Sequence, residues 1–257
     1  MASAAPGIER LQAHLYGKAY ALHRHDTYAI GITLSGVQAF HFRGALWHCL
    51  PGQCHILHPD ELHDGGAGTE EGFGYRIVYI DPSLIQEACP GEALPFVDTP
   101  VVDLARMPDV PIQEVWDMEG TLDELEQNEL VAAVARLLAL AVPRRKTRSM
   151  TLFLPGLDRV REHIASCPAK RHSMAELERL ADLDRWTLAR QFRAAFGTSP
   201  RRFRTQRQLD LVRHRIQAGA TLAEAANEAG FADQSHMTRQ FKRAYGLTPA
   251  CWAAALA

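Results

Sequence analysis

Residues 221–249 read TLAEAANEAGFADQSHMTRQFKRAYGLTP, and residues 173–200 read SMAELERLADLDRWTLARQFRAAFGTSP. The two stretches share one plan. Each opens on a capping box, Ser173-Met174-Ala175-Glu176 or Thr221-Leu222-Ala223-Glu224, in which hydroxyl and carboxylate each satisfy an orphan amide. A short helix is predicted over Ala175–Ala181 and again over Leu222–Ala229. A tight turn follows, Asp182-Leu183-Asp184 or Gly230-Phe231-Ala232-Asp233, with Asp184 and Asp233 as expected N-caps of a second, longer helix. That helix ends at Gly197 or Gly246, which take the left-handed C′ conformation without a steric cost. Leu188, Phe192 and Phe196 fall in register with Met237, Phe241 and Tyr245, and Arg190 with Arg239. A capped helix, a turn and a second helix is the helix-turn-helix plan, whose second helix enters the major groove of DNA. One copy would equally fit a generic helical hairpin; two copies in a cationic setting favour DNA.

The setting is cationic. The 257-residue chain carries a net charge of only −2, but residues 1–150 sum to −9 and residues 151–257 to +7. A basic half suggests a polyanionic partner, although patterning of solvated surfaces gives the same arithmetic. At 47% hydrophobic and 23% charged, the composition is that of a soluble globular protein of one or two domains. The longest apolar stretch, Leu130–Val142, is interrupted by Arg136, so no membrane span is expected. The start MASAAPGIER lacks signal-peptide character. Cys49, Cys54, Cys89, Cys167 and Cys251 form no CxxC pair, which points to a reducing, cytoplasmic setting.

Upstream, the first 80 residues read as short strands. Apolar runs at Tyr28–Leu34, Val37–Phe42, His55–Leu57 and Tyr75–Ile80 are separated by the turn signals Ser35-Gly36, Arg43-Gly44, Pro51-Gly52 and Asp64-Gly65-Gly66, which predicts a small barrel or sandwich. A helix is then predicted over Thr121–Val142, opened by a capping box at Thr121-Leu122-Asp123-Glu124 and carrying Leu122, Leu125, Leu130, Val134, Leu137, Leu138 and Ala141 at helical spacing. The expected division is residues 1–142, a linker at 143–151, and an all-α domain at 152–257.

Phe231-Ala232-Asp233-Gln234-Ser235-His236-Met237-Thr238-Arg239-Gln240-Phe241-Lys242-Arg243, followed by Gly246-Leu247-Thr248-Pro249, resembles the signature of AraC/XylS-type transcription regulators. Leu188-Ala189-Arg190-Gln191-Phe192-Arg193 with Gly197-Thr198-Ser199-Pro200 resembles that family's first helix-turn-helix. The resemblance covers about residues 155–252. It implies two helix-turn-helix units joined by a long helix near Pro200–Ala218, control of promoters through double-stranded DNA, and contact with RNA polymerase. Met237 stands where the family usually has Phe, and Ala253–Ala257 lacks an arginine often found after Trp252. His23-Arg24-His25, Pro51-Gly52 and His58-Pro59-Asp60-Glu61-Leu62-His63 resemble the family's cupin-like effector domain. The implied fold is α+β: an N-terminal cupin-like β-barrel with helices, and a C-terminal all-α domain with two helix-turn-helix units.

These readings assign roles to residues. Base reading falls to the exposed first turns of the second helices, Arg185, Trp186, Thr187 and Arg190 in one copy and Gln234, Ser235, His236 and Arg239 in the other, because Arg forks onto guanine and Gln onto adenine. Phosphate contact falls to Arg193, Arg201, Arg202, Arg204, Lys242 and Arg243. Leu188, Phe192, Met237 and Phe241 are expected in the core. Arg190 and Arg239 have intramodule ion pairs as their alternative.

In the N-terminal half, His25, Tyr28, Trp47, His63, Tyr75 and Arg76 are the expected lining of a small-molecule effector site, or simply barrel filling. No cofactor is required. A divalent metal on His23, His25 and His63 is the competing reading, with Asp26 and Glu61 as the only nearby carboxylates. Two rivals follow: a metal-dependent cupin enzyme fused to a DNA-binding tail, and a redox sensor using Cys49 and Cys54 across Pro51-Gly52. A homodimer is expected, with the Thr121–Val142 helix as its face or, alternatively, packed on its own barrel.

Overall fold

The computed structural model describes residues 2–107, 110, 115–118, 120–142 and 151–254. Among the described residues, ten strands form two antiparallel sheets. Strands β1 (Ala2–Ala5), β2 (Ile8–Leu15), β4 (Tyr28–Gly36), β7 (Gln53–Leu57), β9 (Phe73–Ile80) and β10 (Val101–Asp103) make a six-stranded sheet in the order β1-β2-β9-β4-β7-β10. Strands β3 (Lys18–His23), β5 (Gln38–Phe42), β6 (Ala45–Cys49) and β8 (His63–Ala67) make a four-stranded sheet in the order β3-β8-β5-β6. The barrel expectation is met as two facing sheets that do not close on one another.

Register decides which side chains face which layer. Ile30 pairs with Val78 on one side and Ile56 on the other. Alternation along β4 then sends Tyr28, Ile30 and Ile32 to one face and Ala29, Gly31 and Thr33 to the other. The first face meets helices α1 (Pro82–Ala88) and α2 (Glu124–Ala141) in a core with Ile56, Val78, Ile80, Val134, Leu137 and Leu138. The second face meets Phe40, Phe42 and Cys49 of the smaller sheet. Burial on both faces explains why these strands read as runs rather than alternations. Each fully buried Ile or Leu contributes on the order of 1.5–3 kcal/mol.

Two local expectations are corrected. Asp64-Gly65-Gly66 is not a turn; it lies inside β8. A Cβ at Gly65 would collide with the Tyr20 ring and one at Gly66 with the Gly17 backbone, so these glycines permit close approach of β3. The Thr121 capping box does not form. Asp123 caps α2 instead, accepting from the Glu126 amide at 2.9 Å while Glu126 returns a carboxylate oxygen to the Asp123 amide at 2.8 Å. Part of the apolar stripe of α2 is spent inside its own subunit, with Leu130, Val134, Leu137 and Leu138 buried in the core with the sheet, while Leu125 stays exposed.

The basic half is helical throughout: α3 (Leu154–Ser166), α4 (Met174–Ala181), α5 (Arg185–Phe196), α6 (Pro200–Gln217), α7 (Leu222–Glu228), α8 (Gln234–Tyr245) and α9 (Pro249–Ala254). Its helix starts form as the capping residues require. Ser173–Glu176 and Thr221–Glu224 both make complete capping boxes. Asp184 accepts from the amides of Trp186 and Thr187, and Asp233 from that of His236. Gly197 and Gly246 end α5 and α8 at φ of 72° and 73°. The domain has two cores. Leu157, Val160, Ile164, Leu177, Leu188, Phe192 and Phe203 form one; Leu209, Val212, Ala225, Phe231, Met237 and Phe241 form the other. Helix α6 spans both, with Phe203 in the first and Leu209 and Val212 in the second. Residues 143–150 of the expected linker lie outside the described residues.

Candidate nucleic-acid interface and interdomain cleft

Helices α5 and α8 each bury one face and expose another. Leu188, Phe192, Met237 and Phe241 are fully buried, as the register requires. Their first turns are open to solvent. Trp186 is 75% exposed, Arg185, Arg190, Gln234, Ser235 and Arg239 are exposed, and Thr187 and His236 are half-buried. Arg185 is held by Glu178, with Nε on Oε1 at 3.2 Å. Arg190 donates to the Thr187 hydroxyl at 3.3 Å. The exposed first turns match the geometry of groove reading, in which side chains near a helix N-terminus reach base edges.

The expected phosphate contacts separate into groups. Arg201, Lys242 and Arg243 are exposed. Arg204 turns inward, with Nε donating to the Lys170 carbonyl at 2.7 Å and Nη2 to that of Ala169 at 3.1 Å, so it staples the turn before α4. Arg193 and Arg202 both meet Asp60 of the acidic half. Asp60 is 7% exposed and also lies 3.7 Å from Arg24, so one buried carboxylate gathers three guanidiniums.

Asp60 belongs to a wider seam. The Arg24 amide donates to the Arg243 carbonyl and the Leu94 amide to the Ala194 carbonyl, each at 2.9 Å. The acidic half thus bonds the last turns of both α5 and α8 through main chain. Arg207 reaches Asp26 at 2.7 Å, and Arg161 reaches the Ser83 hydroxyl at 2.6 Å. Burial raises the Asp26 carboxyl to about 6, against the lowering effect of Arg207. Gly197 packs on Pro59 with no room for a Cβ. Sequence reading missed Asp60, and weighed Asp26 only as a metal carboxylate. The available signal was the −9 against +7 division, which has an intramolecular meaning as well as an external one.

Two clefts open along this seam. The larger, about 790 Å³, is lined by Arg24, Arg193, Arg201, Arg202 and Arg243 together with Asp26, Asp60, Leu22, Leu62 and Leu209. The smaller, about 440 Å³, lies between His23, His25, Asp26 and Tyr79 on one side and Arg207, Arg213, Tyr245 and Trp252 on the other.

The expected effector residues do not share one lining. Tyr28 faces the α1–α2 layer and donates to the Pro95 carbonyl at 2.8 Å. Arg76 bonds Gln12 and the Trp116 carbonyl. Both therefore sit on the opposite side of the sheet from Tyr75, which lies between the sheets with Trp47 packed at the edge of that core. His25 and His63 do come together, with ring centroids 4.8 Å apart, and His23 stands 4.4 Å from His63. His55, unremarked as a ligand in the sequence, is also buried between the sheets with neither ring nitrogen partnered.

The three clustered imidazoles are fixed alike. Nδ1 of His23, His25 and His63 bonds the carbonyls of Ala21, Thr27 and Glu61 at 2.8, 2.9 and 2.9 Å. One donor atom from each residue lies within 4.8 Å of the others, and His25 Nε2 is buried without a partner. Burial lowers the pKa of all three, His25 to about 3, and keeps the rings neutral. Neither candidate carboxylate joins them: Asp26 is on Arg207, and Glu61 is on Arg43 at 2.8 Å. Cys49 and Cys54 are free and buried, and burial pushes the Cys49 thiol up to about 11 and that of Cys54 well above its usual value, so neither presents a thiolate at neutral pH.

Comparison with known proteins decides the lineage. The family model for the AraC-like ligand binding domain matches residues 5–141, and a helix-turn-helix domain model matches residues 177–255. The chain belongs to the AraC family of transcription regulators. A putative AraC-like transcription regulator of Streptomyces lividans is 34% identical over 83 residues, 32% of this chain and 27% of that protein. The probable transcriptional regulator LumQ of Photobacterium leiognathi is 25% identical over 132 residues, 51% of each chain. This AraC-family chain therefore spans about a quarter to a half of the length of these relatives. Its fold is that of ToxT from Vibrio cholerae, with a TM-score of 0.62 at 10% identity over 95% of this chain and 98% of that one. A ToxT structure with bound unsaturated fatty acid gives 0.61 at 11% identity, covering 95% and 94%. Among the described residues of this family member, no helix is long and apolar enough to cross a membrane.

Proposed function

We propose that the chain is a sequence-specific regulator of transcription whose grip on promoter DNA responds to a small molecule bound in the larger cleft. The observation that carries this reading is the division of labour along α5 and α8. Their first turns face solvent with base-reading side chains, while their last turns are bonded to the acidic half. A ligand shifts an equilibrium only by binding its two states differently. The cleft supplies that difference, because a ligand there meets the Asp60 pairs with Arg193 of α5 and Arg202 of α6, beside the main-chain bond that holds α8.

The lining favours an organic anion with an apolar body: five arginines against two aspartates, with leucines beside them. ToxT has been solved with an unsaturated fatty acid and with (E)-4-(8-methylnaphthalen-1-yl)but-3-enoic acid, both carboxylic acids. A carboxylate head would replace Asp60 on Arg193 and Arg202. Decanoate, with decanol as the uncharged control, tests this in a mobility-shift titration on a selected duplex. Decanoate should change the apparent DNA affinity and decanol should not; equal or absent effects contradict the anionic effector. A homodimer and contact with RNA polymerase rest on the family resemblance.

A second reading is favoured by one observation. The common Nδ1 anchoring of His23, His25 and His63 leaves each Nε2 with its lone pair, and one ring nitrogen of each lies within 4.8 Å of the others, a form in which imidazoles bind a divalent transition metal. Such an ion would make the regulator metal-responsive. Metal analysis of chain purified without chelator tests it: His63→Ala should lower the ion content by one per chain, and an ion content unchanged by that substitution contradicts it.

A further inference from the structure

Three side chains converge in the basic half, where α3 ends and α4 begins. His163 lies in the last turn of α3, His172 in the following turn, and Glu176 in the first turn of α4. One donor atom from each lies within 4.8 Å of the others. The two rings stand edge to face at 4.8 Å.

The hydrogen bonds leave this cluster incomplete. His172 Nε2 donates to the Cys167 carbonyl at 3.1 Å. That bond sets the tautomer, so Nδ1 carries a lone pair. Yet Nδ1 is buried and has no partner, a state native proteins rarely tolerate. His163 Nε2 donates to Glu176 Oε1 at 2.9 Å. The capping role of Glu176 uses Oε2, which accepts from the Ser173 amide, so Oε1 is not needed for the helix start.

We propose that His163, His172 and Glu176 form a binding site for one borderline divalent cation of the Zn²⁺ class. The cation takes the place of the proton between His163 Nε2 and Glu176 Oε1, the neutral His163 ring then carrying its one proton on Nδ1, and gains His172 Nδ1 as its third donor. Water completes the coordination. Two imidazoles and one carboxylate suit Zn²⁺ rather than Ca²⁺ or Mg²⁺, which take oxygen ligands. Lys170 Nζ, 3.4 Å from Glu176 Oε1, is the resident competitor and sits on a largely exposed side chain free to turn away. Arg204 ties the same turn to α6. A bound ion therefore cross-links α3 to the first helix of the first helix-turn-helix unit and stiffens that unit.

The test uses metal-stripped chain carrying His23→Ala and His63→Ala, which breaks up the His23, His25 and His63 cluster of the acidic half. Zn²⁺ is titrated against a chromophoric chelator. Uptake of one Zn²⁺ per chain with a raised Tm is expected, and Ca²⁺ should do neither. Adding His163→Ala or, separately, His172→Gln should weaken binding about tenfold or more and remove the rise in Tm. In the otherwise unaltered chain, His163→Ala should likewise lower the Zn²⁺ content by one ion. No Zn²⁺ uptake by the doubly substituted chain, or unchanged affinity in both added variants, overturns the proposal.

Discussion

Arg202 sets its guanidinium on Asp60, 142 positions earlier in the chain. The carboxylate is buried and the arginine is about half exposed, 4% against 48% for the side chains. One residue of the acidic half thereby occupies a cation that the sequence assigns to phosphate contact, and Arg193 shares the same carboxylate. Under the proposed function, Asp60 and DNA compete for these charges.

Asp60→Asn keeps the shape and removes the charge. Because its arginines are partly solvated, the loss of stability should be modest, about 1–2 kcal/mol. Freed Arg193 and Arg202 should each steepen the salt dependence of DNA binding by about one unit of log–log slope. Thermal unfolding and a salt titration of binding check the two parts.

Arg239 and Arg204 should behave oppositely. Arg239, exposed on the first turns of α8, is the proposed base reader, so Arg239→Ala should cost about 1–3 kcal/mol on a selected duplex and relax preference at one position. Arg204, bonded to the carbonyls of Ala169 and Lys170, holds a turn. Arg204→Ala should lower Tm and leave base preference unchanged.

That contrast marks what was legible in the sequence. The repeated capping boxes, the N-cap aspartates, the Gly C′ residues and the shared apolar register are all local signals, and each formed where its residues required. So did the sheet-forming runs, with registers that bury Ile30, Ile56 and Val78 together. The seam was not legible, because Asp60–Arg202 and Asp26–Arg207 join residues far apart in the chain and no local spacing encodes them. The same limit scattered the expected effector set: Tyr28 and Tyr75 look alike in sequence, and only the strand register sends them to opposite faces. Gly65 and Gly66 look like a turn until Tyr20 is seen above them.

The two cores of the basic half should fail separately. Phe192→Ala and Phe241→Ala each empty a fully buried site in a different cluster, at about 3–5 kcal/mol apiece. Hydrogen exchange should accelerate first in α3–α5 for the former and in α7–α8 for the latter.

His58 gives the acid response a sign. Burial first, and the neighbouring Arg43 charge second, lower its pKa from 6.5 to about 4 while Nε2 accepts from the Val97 amide at 3.0 Å. The unfolded chain therefore binds the proton that the folded chain refuses. Its contribution is complete above about 6.5 and is lost as pH falls toward about 4. Urea unfolding across that window should show stability falling by up to about 3 kcal/mol from this group, and His58→Gln should flatten that part of the profile.

Selection from a random duplex library by the full-length chain, at moderate ionic strength, tests the central claim most directly. Two reading helices on one connecting helix should enrich a bipartite sequence whose halves lie about one helical turn, ~10 base pairs, apart. A pool that stays random at moderate salt, with no retention of duplex even at low salt, would contradict a chain built to read DNA.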